Sequence, residues 1–298
     1  MAWDLRTQPL PYRADAAHYS DGTNSLSGQS GDGHRCGCSP MALSSLVESE
    51  IIPRLLLVHS TASPHPQVTG EALITLAEAE RFAALPLELE ADGLLEEVEA
   101  ILARGVSAES VFIDLLAPSA RYLGEMWEDD RCDFVDVTMG LWRLQEVMRE
   151  IAIRSHPIAR VLGGPRTALF APMPGDQHSF GALMLDEVFS RAGWHSEALV
   201  GSGRRELLRF AADRPLDLIG LTVSCGCPSA TISELIRSIR SVSRASNVHI
   251  LIGGNAVNAN PGLVAECGAD GTAADGRSAL ILAERLVDQC GLSSALTA

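Results

Sequence analysis

Asp176, His178 and Gly181 stand at i, i+2 and i+5, directly after the apolar run Thr167-Ala168-Leu169-Phe170-Ala171. Two chemistries suit that spacing. A carboxylate two residues ahead of an imidazole can hydrogen-bond one ring nitrogen, fix the tautomer and present the other nitrogen to a metal. Equally, Asp176 can cap the following helix through a side-chain oxygen, which makes His178 an ordinary solvated first-turn residue.

Two further stretches carry polar or permissive residues at the end of an apolar run. "IGLTVSCG" ends in the hydroxyls of Thr222 and Ser224, and "LIGGNAVN" contains the pair Gly253-Gly254. Hydroxyls can bond a buried ligand, and paired glycines let a bulky group lie against the backbone because no Cβ intervenes. Taken singly, these are also satisfied strand-end hydroxyls and a tight turn. A dinucleotide site fits poorly. The first loop, Pro172-Met173-Pro174-Gly175, lacks the Gly-x-Gly-x-x-Gly fingerprint, and no P-loop occurs.

The elements that must position these residues are read from periodicity. From 166 to 290, apolar runs at "TALFAPM", "HSEALVG", "DLIGLTVS", "HILIGG" and "GADGTAA" alternate with helical segments starting near Ser179, Arg204, Ser229, Pro261 and Arg277. Five strand-helix units predict an α/β, doubly wound, five-stranded parallel sheet. Ligands of such sheets bind beyond the carboxyl ends of the strands. Asp176, His178, Thr222, Ser224, Gly253 and Gly254 all fall on that edge.

Ahead of it, residues 68 to 155 have a helical period. Leu94, Leu95, Val98, Ile101 and Leu102 share a face, as do Phe112, Leu115, Leu116, Leu123 and Trp127. Val137, Leu141, Leu144, Met148 and Ile151 step by 4, 3, 4, 3. With a segment near Gly70 to Leu85, this predicts a small four-helix bundle. The expected division is an arm over 1–45, a helical bundle over 46–160 and a sheet domain over 161–298. The arm, rich in Ser, Gly, Asp and Pro, has no apolar period and reads as disordered or ordered by a partner. Its His34, Cys36 and Cys38 lack the second ligand pair of a zinc site.

Composition limits the partners. The formal net charge of −15 opposes a phosphate backbone, so direct nucleic-acid binding is not expected. There is no apolar stretch of membrane-spanning length and no signal core at the N-terminus, and the expected compartment is the cytoplasm. Seven cysteines do not form a secreted disulfide framework. Cys225 and Cys227, beside the glycine and hydroxyl edge, read as small apolar fillers or as a redox-responsive pair.

The order Asp176-x-His178-x-x-Gly181, Thr222-x-Ser224 and Gly253-Gly254 resembles the cobalamin-binding signature of methionine synthases, corrinoid proteins and mutases. The middle element departs from it, because Thr-Val-Ser stands where the signature has Ser-x-Leu. The resemblance implies a Rossmann-like, flavodoxin-like domain with His178 as lower axial ligand of cobalt and Asp176 as its orienting partner. It also implies that Gly181, Thr222, Ser224, Gly253 and Gly254 serve the cofactor site, and that a helical bundle caps the upper face of the corrin. There, Trp127 matches the position of an aromatic group over the upper ligand, or else packs in the bundle core. Cobalamin photoreceptor repressors follow that Trp with a Glu-His pair. Here the pair falls on Val137-Thr138, so upper ligation by this helix is not expected.

"LGEMWEDDRCDFVDVTMGLWRLQ", residues 123 to 145, is most similar to the antirepressor family of phototrophic bacteria, PpaA and AerR, which also includes the haem-or-cobalamin sensor domain of AppA. This resemblance implies a light-responsive transcription regulator that is not an enzyme. It would bind adenosyl-, methyl- or hydroxocobalamin and act through a PpsR/CrtJ-type repressor of photosynthesis genes. The alternatives are a corrinoid methyl-carrier subunit of a methyltransferase and a haem sensor with His178 on iron.

Overall fold

The computed structural model describes residues 73–155, 166–224 and 226–295. The arm with His34, Cys36 and Cys38, the expected boundaries at 46 and 160, and Cys225 lie outside these residues.

Four helical stretches come first. Helix α1 (Leu76–Glu88) opens on a capping box in which Thr75 Oγ1 accepts from Glu78 N and Glu78 accepts from Thr75 N. Helix α2 (Ala91–Ala103) buries Leu94 and Val98. Helix α3 (Ala108–Ser110) runs through a π-helical stretch, Val111–Leu116, into α4 (Ala117–Glu128). The wider π turn shifts the register so that five of its six side chains, Val111, Phe112, Ile113, Leu115 and Leu116, enter the core. Helix α5 (Phe134–Arg154) begins on a second reciprocal box, Asp133 with Asp136, and buries Val137, Gly140, Leu144, Val147, Met148 and Ile151. The 4, 3, 4, 3 seam read from sequence is the buried one, with Leu141 packed at its margin. Trp127 departs from its group. Phe112, Leu115, Leu116 and Leu123 are fully buried, whereas Trp127 is 47% exposed.

Strands β1 (Thr167–Pro172), β2 (His195–Ala198), β3 (Leu218–Thr222) and β4 (His249–Gly253) form a parallel sheet in the order β2-β1-β3-β4. Central β1 and β3 are almost wholly buried, while edge strand β2 is half-exposed, as parallel strands covered on both faces require. Helices α6 (Phe180–Arg191), α7 (Arg204–Asp213) and α8 (Ser229–Val242) connect them. Two short helices, α9 (Asn255–Ala259) and α10 (Leu263–Cys267), replace the single helix expected from Pro261, and α11 (Gly276–Ala295) closes the described chain.

The expected fifth strand is a correction. "GADGTAA" contributes one bridge, Gly271 to Leu251, and no strand. Gly, Ala and Asp are poor strand formers with little to pack on a pleated face. Asp270 moreover accepts from Ile250 N through its side chain at 2.6 Å, taking a place that a backbone carbonyl would fill in a ladder.

Alternation along the strands divides the interior. Ala168, Phe170, Leu218 and Leu251 face α6, α11 and the bundle in one continuous core that includes Phe112, Leu144 and Phe189. Leu169, Ala171, Ile219, Leu221, Ile250 and Ile252 face α7, α8 and the two short helices. Each fully buried side chain of this size contributes about 1.5–3 kcal/mol, so bundle and sheet stabilise each other through the shared core. Arg277 on α11 adds an ion pair to Asp114 in the π turn at 3.2 Å.

Candidate functional site

Register brings the strand ends level. Pro172, Thr222 and Gly253 are neighbours across β1, β3 and β4, so the loops that follow leave one edge together. Between β1 and β3 the strand order reverses, which is where doubly wound sheets bind ligands.

A tight turn delivers the acid. Asp176 N donates to Met173 O at 2.8 Å, with Pro174 and then Gly175 at the two central positions. Gly175 has φ +92°, as position i+2 of a type II turn requires, and this explains the order Met-Pro-Gly-Asp. Asp176 does not cap α6. The residue before that helix is Ser179, which makes no side-chain cap bond, and both Asp176 oxygens are used elsewhere. Oδ1 meets His178 Nδ1 at 2.6 Å and accepts from His178 N at 3.0 Å, and Oδ2 accepts from Ser224 N at 3.1 Å. The acid therefore ties the β1 loop to the β3 loop.

Electrostatics follow from that cradle. Burial pushes the Asp176 carboxyl up, but the donors from His178 and the Ser224 amide outweigh it and hold the group below the usual carboxylate range. Asp176 is 8% exposed and the His178 side chain 55% exposed. A buried anion thus orients an accessible imidazole. With Nδ1 engaged, Nε2 is the nitrogen that would meet a metal.

The remaining sequence-predicted residues divide into three groups. Thr222 is buried, and among the described residues its Oγ1 has no hydrogen-bond partner. Ser224 contributes its amide to Asp176, an interaction not visible from residue types alone. Gly254 has φ +102°, and a Cβ there would lie 2.7 Å from Val223 O, so this position demands glycine. At Gly253 a Cβ would approach only Ala273 O at 3.8 Å, and at Gly181 only Thr222 Cγ2 at 3.6 Å. Both are ordinary van der Waals contacts, so a Cβ would clash at neither position. Trp127 stands on α4 and is about half exposed. Val137 is buried in the bundle, and Thr138 Oγ1 donates to Phe134 O at 2.7 Å. Cys227 is half-buried.

One residue escaped the sequence reading. Thr272 Oγ1 is also buried without a partner, one residue beyond the Gly271 bridge. Reading "GADGTAA" as a strand hid it, although Thr272 ends its segment with a hydroxyl just as Thr222 ends β3.

Comparison with known proteins gives the arrangement relatives. Residues 166–282 match the family model described as the B12 binding domain. The chain is also 28% identical, over 168 residues, to the "Uncharacterized 20.5 kDa protein in bchF-crtJ intergenic region" of Rhodobacter capsulatus, a match covering 55% of this chain and 85% of that protein. The sheet domain is similar to B12 binding domains. The chain shares its fold with the solved monomethylamine corrinoid protein of Methanosarcina barkeri, at a TM-score of 0.58 and 17% identity over 68% of this chain and 95% of that one.

The residues of the sheet domain suit such a cofactor. Among the described residues no group of three or more His, Cys, Asp and Glu side chains could hold a bare metal ion. A corrin would bring nitrogen ligands of its own, so one oriented histidine, His178, would suffice as the donor from the protein. The orphaned hydroxyls of Thr222 and Thr272 and the open backbone at Gly253 offer bonding groups and room on the same edge.

Proposed function

We propose that this chain is a cobalamin-binding, light-responsive antirepressor that acts on a PpsR/CrtJ-type repressor of photosynthesis genes and catalyses no reaction itself. The observation that carries the reading is the Asp176–His178 pair, locked to the β3 loop through Ser224 N at the switch point of the sheet. The acidic balance of the chain favours a protein partner over DNA, and the bchF-crtJ location of the Rhodobacter capsulatus relative supports photosynthesis genes as the target.

In this reading His178 would hold the cobalt of a bound cobalamin through a ring nitrogen, with Asp176 fixing the ring. Thr222, Ser224, Gly253 and Gly254 would hold its nucleotide tail, Gly181 would serve the same site, and Trp127 would pack against the corrin from the bundle. Bound cobalamin supplies a cobalt–carbon bond that light can break. The residues of the chain convert that event into a signal by holding bundle and sheet domain in one arrangement more tightly than in another, since a ligand shifts an equilibrium only by its differential affinity. An exposed Trp127, unlike a packed one, can change its contacts without breaking the core.

The test is the absorption spectrum of purified protein after separate incubation with hydroxo-, methyl- and adenosylcobalamin and haem, taken before and after white light, with His178→Ala in parallel. Expected is a corrin that survives gel filtration, with a spectrum that depends on His178 and changes lastingly under light. A retained corrin with no lasting light response, together with methyl transfer to an acceptor protein, would assign a methyl carrier. Retention of haem alone would overturn the cobalamin reading.

A further inference from the structure

Helix α5 has two seams. Besides the buried one, Val135, Met139, Trp142, Glu146, Arg149 and Ile153 follow at steps of 4, 3, 4, 3 and 4, which places them together on the side away from the core. Val135 is 63%, Met139 38%, Trp142 49% and Ile153 57% exposed. A solvent-facing seam gains nothing from this spacing, whereas a helix laid alongside it would interdigitate with it.

The middle of the seam, Trp142, Glu146 and Arg149, forms one wall of a groove, and Val135 and Met139 continue the seam beyond it. With the start of α2, that wall encloses about 540 Å³ of open space, lined in part by Glu90, Asp92, Leu95, Trp142, Glu146 and Glu150. Four carboxylates there face two guanidinium groups, those of Arg149 and Arg154. Arg154 is occupied by Glu99 and Glu150. Among the described residues Asp92 and Glu146 have no ion pair. Glu90 is held by Arg143, and among the described residues Arg149 lines the groove without an ion pair, so the groove combines an exposed tryptophan with a small excess of negative charge at Asp92 and Glu146, and its occupant needs an apolar stripe and cations beside it.

We infer that the α2–α5 groove docks a basic amphipathic helix of a partner protein, with its apolar residues against Val135, Met139 and Trp142 and its Arg or Lys side chains on Asp92 and Glu146. This is helix-in-groove recognition with an aromatic anchor. A second copy is a poor occupant, because it brings the same net charge of −15 to an acidic groove. The inference deepens the regulator reading and rests on it for the existence of a protein partner.

The experiment uses the full chain and a fluorescein-labelled 16-residue helical peptide carrying Leu at 3–4 spacing flanked by Arg, with a twin in which Glu replaces Arg. Binding is read by anisotropy at low and high salt. Expected are saturable binding of the basic peptide only, at least tenfold weakening by Trp142→Ala, and recovery with Trp142→Phe. The double change Asp92→Asn and Glu146→Gln should weaken binding at low salt and much less at high salt. Circular dichroism checks that each variant is folded.

Equal binding by wild type and Trp142→Ala, or equal binding of both peptides, overturns the inference. So does a wild-type dimer in sedimentation that Trp142→Ala dissociates, which would give the groove to a second copy. A purified PpsR/CrtJ-type repressor separates this inference from the function proposed above. If it binds wild type and Trp142→Ala alike, the regulator reading survives and the groove assignment falls. If it does not bind while the basic peptide binds through Trp142, the groove stands and that choice of partner falls.

Discussion

Asp176 Oδ1 lies 2.6 Å from His178 Nδ1, while Oδ2 of the same carboxylate accepts from Ser224 N at 3.1 Å. One buried anion thus serves an imidazole and a neighbouring loop at once. Asn can keep only one of these oxygens as an acceptor, so Asp176→Asn leaves either the ring or the Ser224 amide without its partner. Corrin affinity in a spectral titration should fall about 10–100-fold. Ser224→Ala keeps the amide and should leave the ring geometry intact, so any loss it causes reports a hydroxyl contact to the cofactor.

The same carboxylate gives the apo-protein an acid dependence. Its folded pKa is depressed, so the stability it contributes is complete above the unfolded value of about 3.9 and is lost as pH falls through the lower folded value. Thermal unfolding at pH 5 and pH 3 is the check. Wild type should lose more Tm between the two than Asp176→Ala, whose curve lacks this contribution.

Much of this site was legible in the sequence. Periodicity located four strands and four bundle stretches, because the central strands are continuous apolar runs and each bundle helix buries one stripe. Asp176 and His178 were legible as a pair because a single residue, Gln177, separates them on one loop. The Ser224 amide was not, since a backbone donor has no residue-type signature and its partner is 48 positions away. The fifth strand failed for the opposite reason. "GADGTAA" follows the strand-helix rhythm, yet its small residues and the side chain of Asp270 reduce it to a bridge. Trp127 lies on an apolar helical face by counting, but where α4 projects past the core is set by tertiary packing.

The glycine pair can be divided by alanine substitution. At Gly254 a side chain meets both φ +102° and the Val223 carbonyl at 2.7 Å. Gly254→Ala should therefore destabilise the apo-protein by about 1–3 kcal/mol or more, visible in urea unfolding. Gly253→Ala meets only Ala273 O at 3.8 Å and should fold with near wild-type stability. If a cofactor tail occupies the space at Gly253, this second variant loses corrin affinity without losing stability.

Asp186 on α6 provides a stability change away from the site. Burial pushes its carboxyl up, although Ser196 Oγ donates to Oδ1 at 2.6 Å. A raised folded pKa means that the stability from this group is complete below its unfolded value and is lost as pH rises through the folded one. At neutral pH the ionised group is a net cost. Asp186→Asn keeps an acceptor for Ser196 and removes that cost, so Tm should rise at pH 7–8 and match wild type near pH 3. Corrin affinity should not change.

Thr222→Val separates a structural hydroxyl from a ligand-binding one, because the two roles move stability and affinity in opposite directions. Thr222 Oγ1 is buried with no partner among the described residues, and an unsatisfied buried hydroxyl costs about 1–3 kcal/mol. Valine has nearly the same shape and no such group. Apo-protein Tm should therefore stay level or rise. If the hydroxyl bonds the cofactor, the holo-protein loses that bond, and corrin retention in gel filtration should fall for Thr222→Val despite the firmer apo fold. Unchanged retention would mean that Thr222 Oγ1 is a cost that the fold carries for some other reason. Thr272→Val applies the same test one segment later, at the hydroxyl that follows the Gly271 bridge. Because the two hydroxyls sit on different segments, losses that add in the double variant would indicate two separate bonds to the ligand.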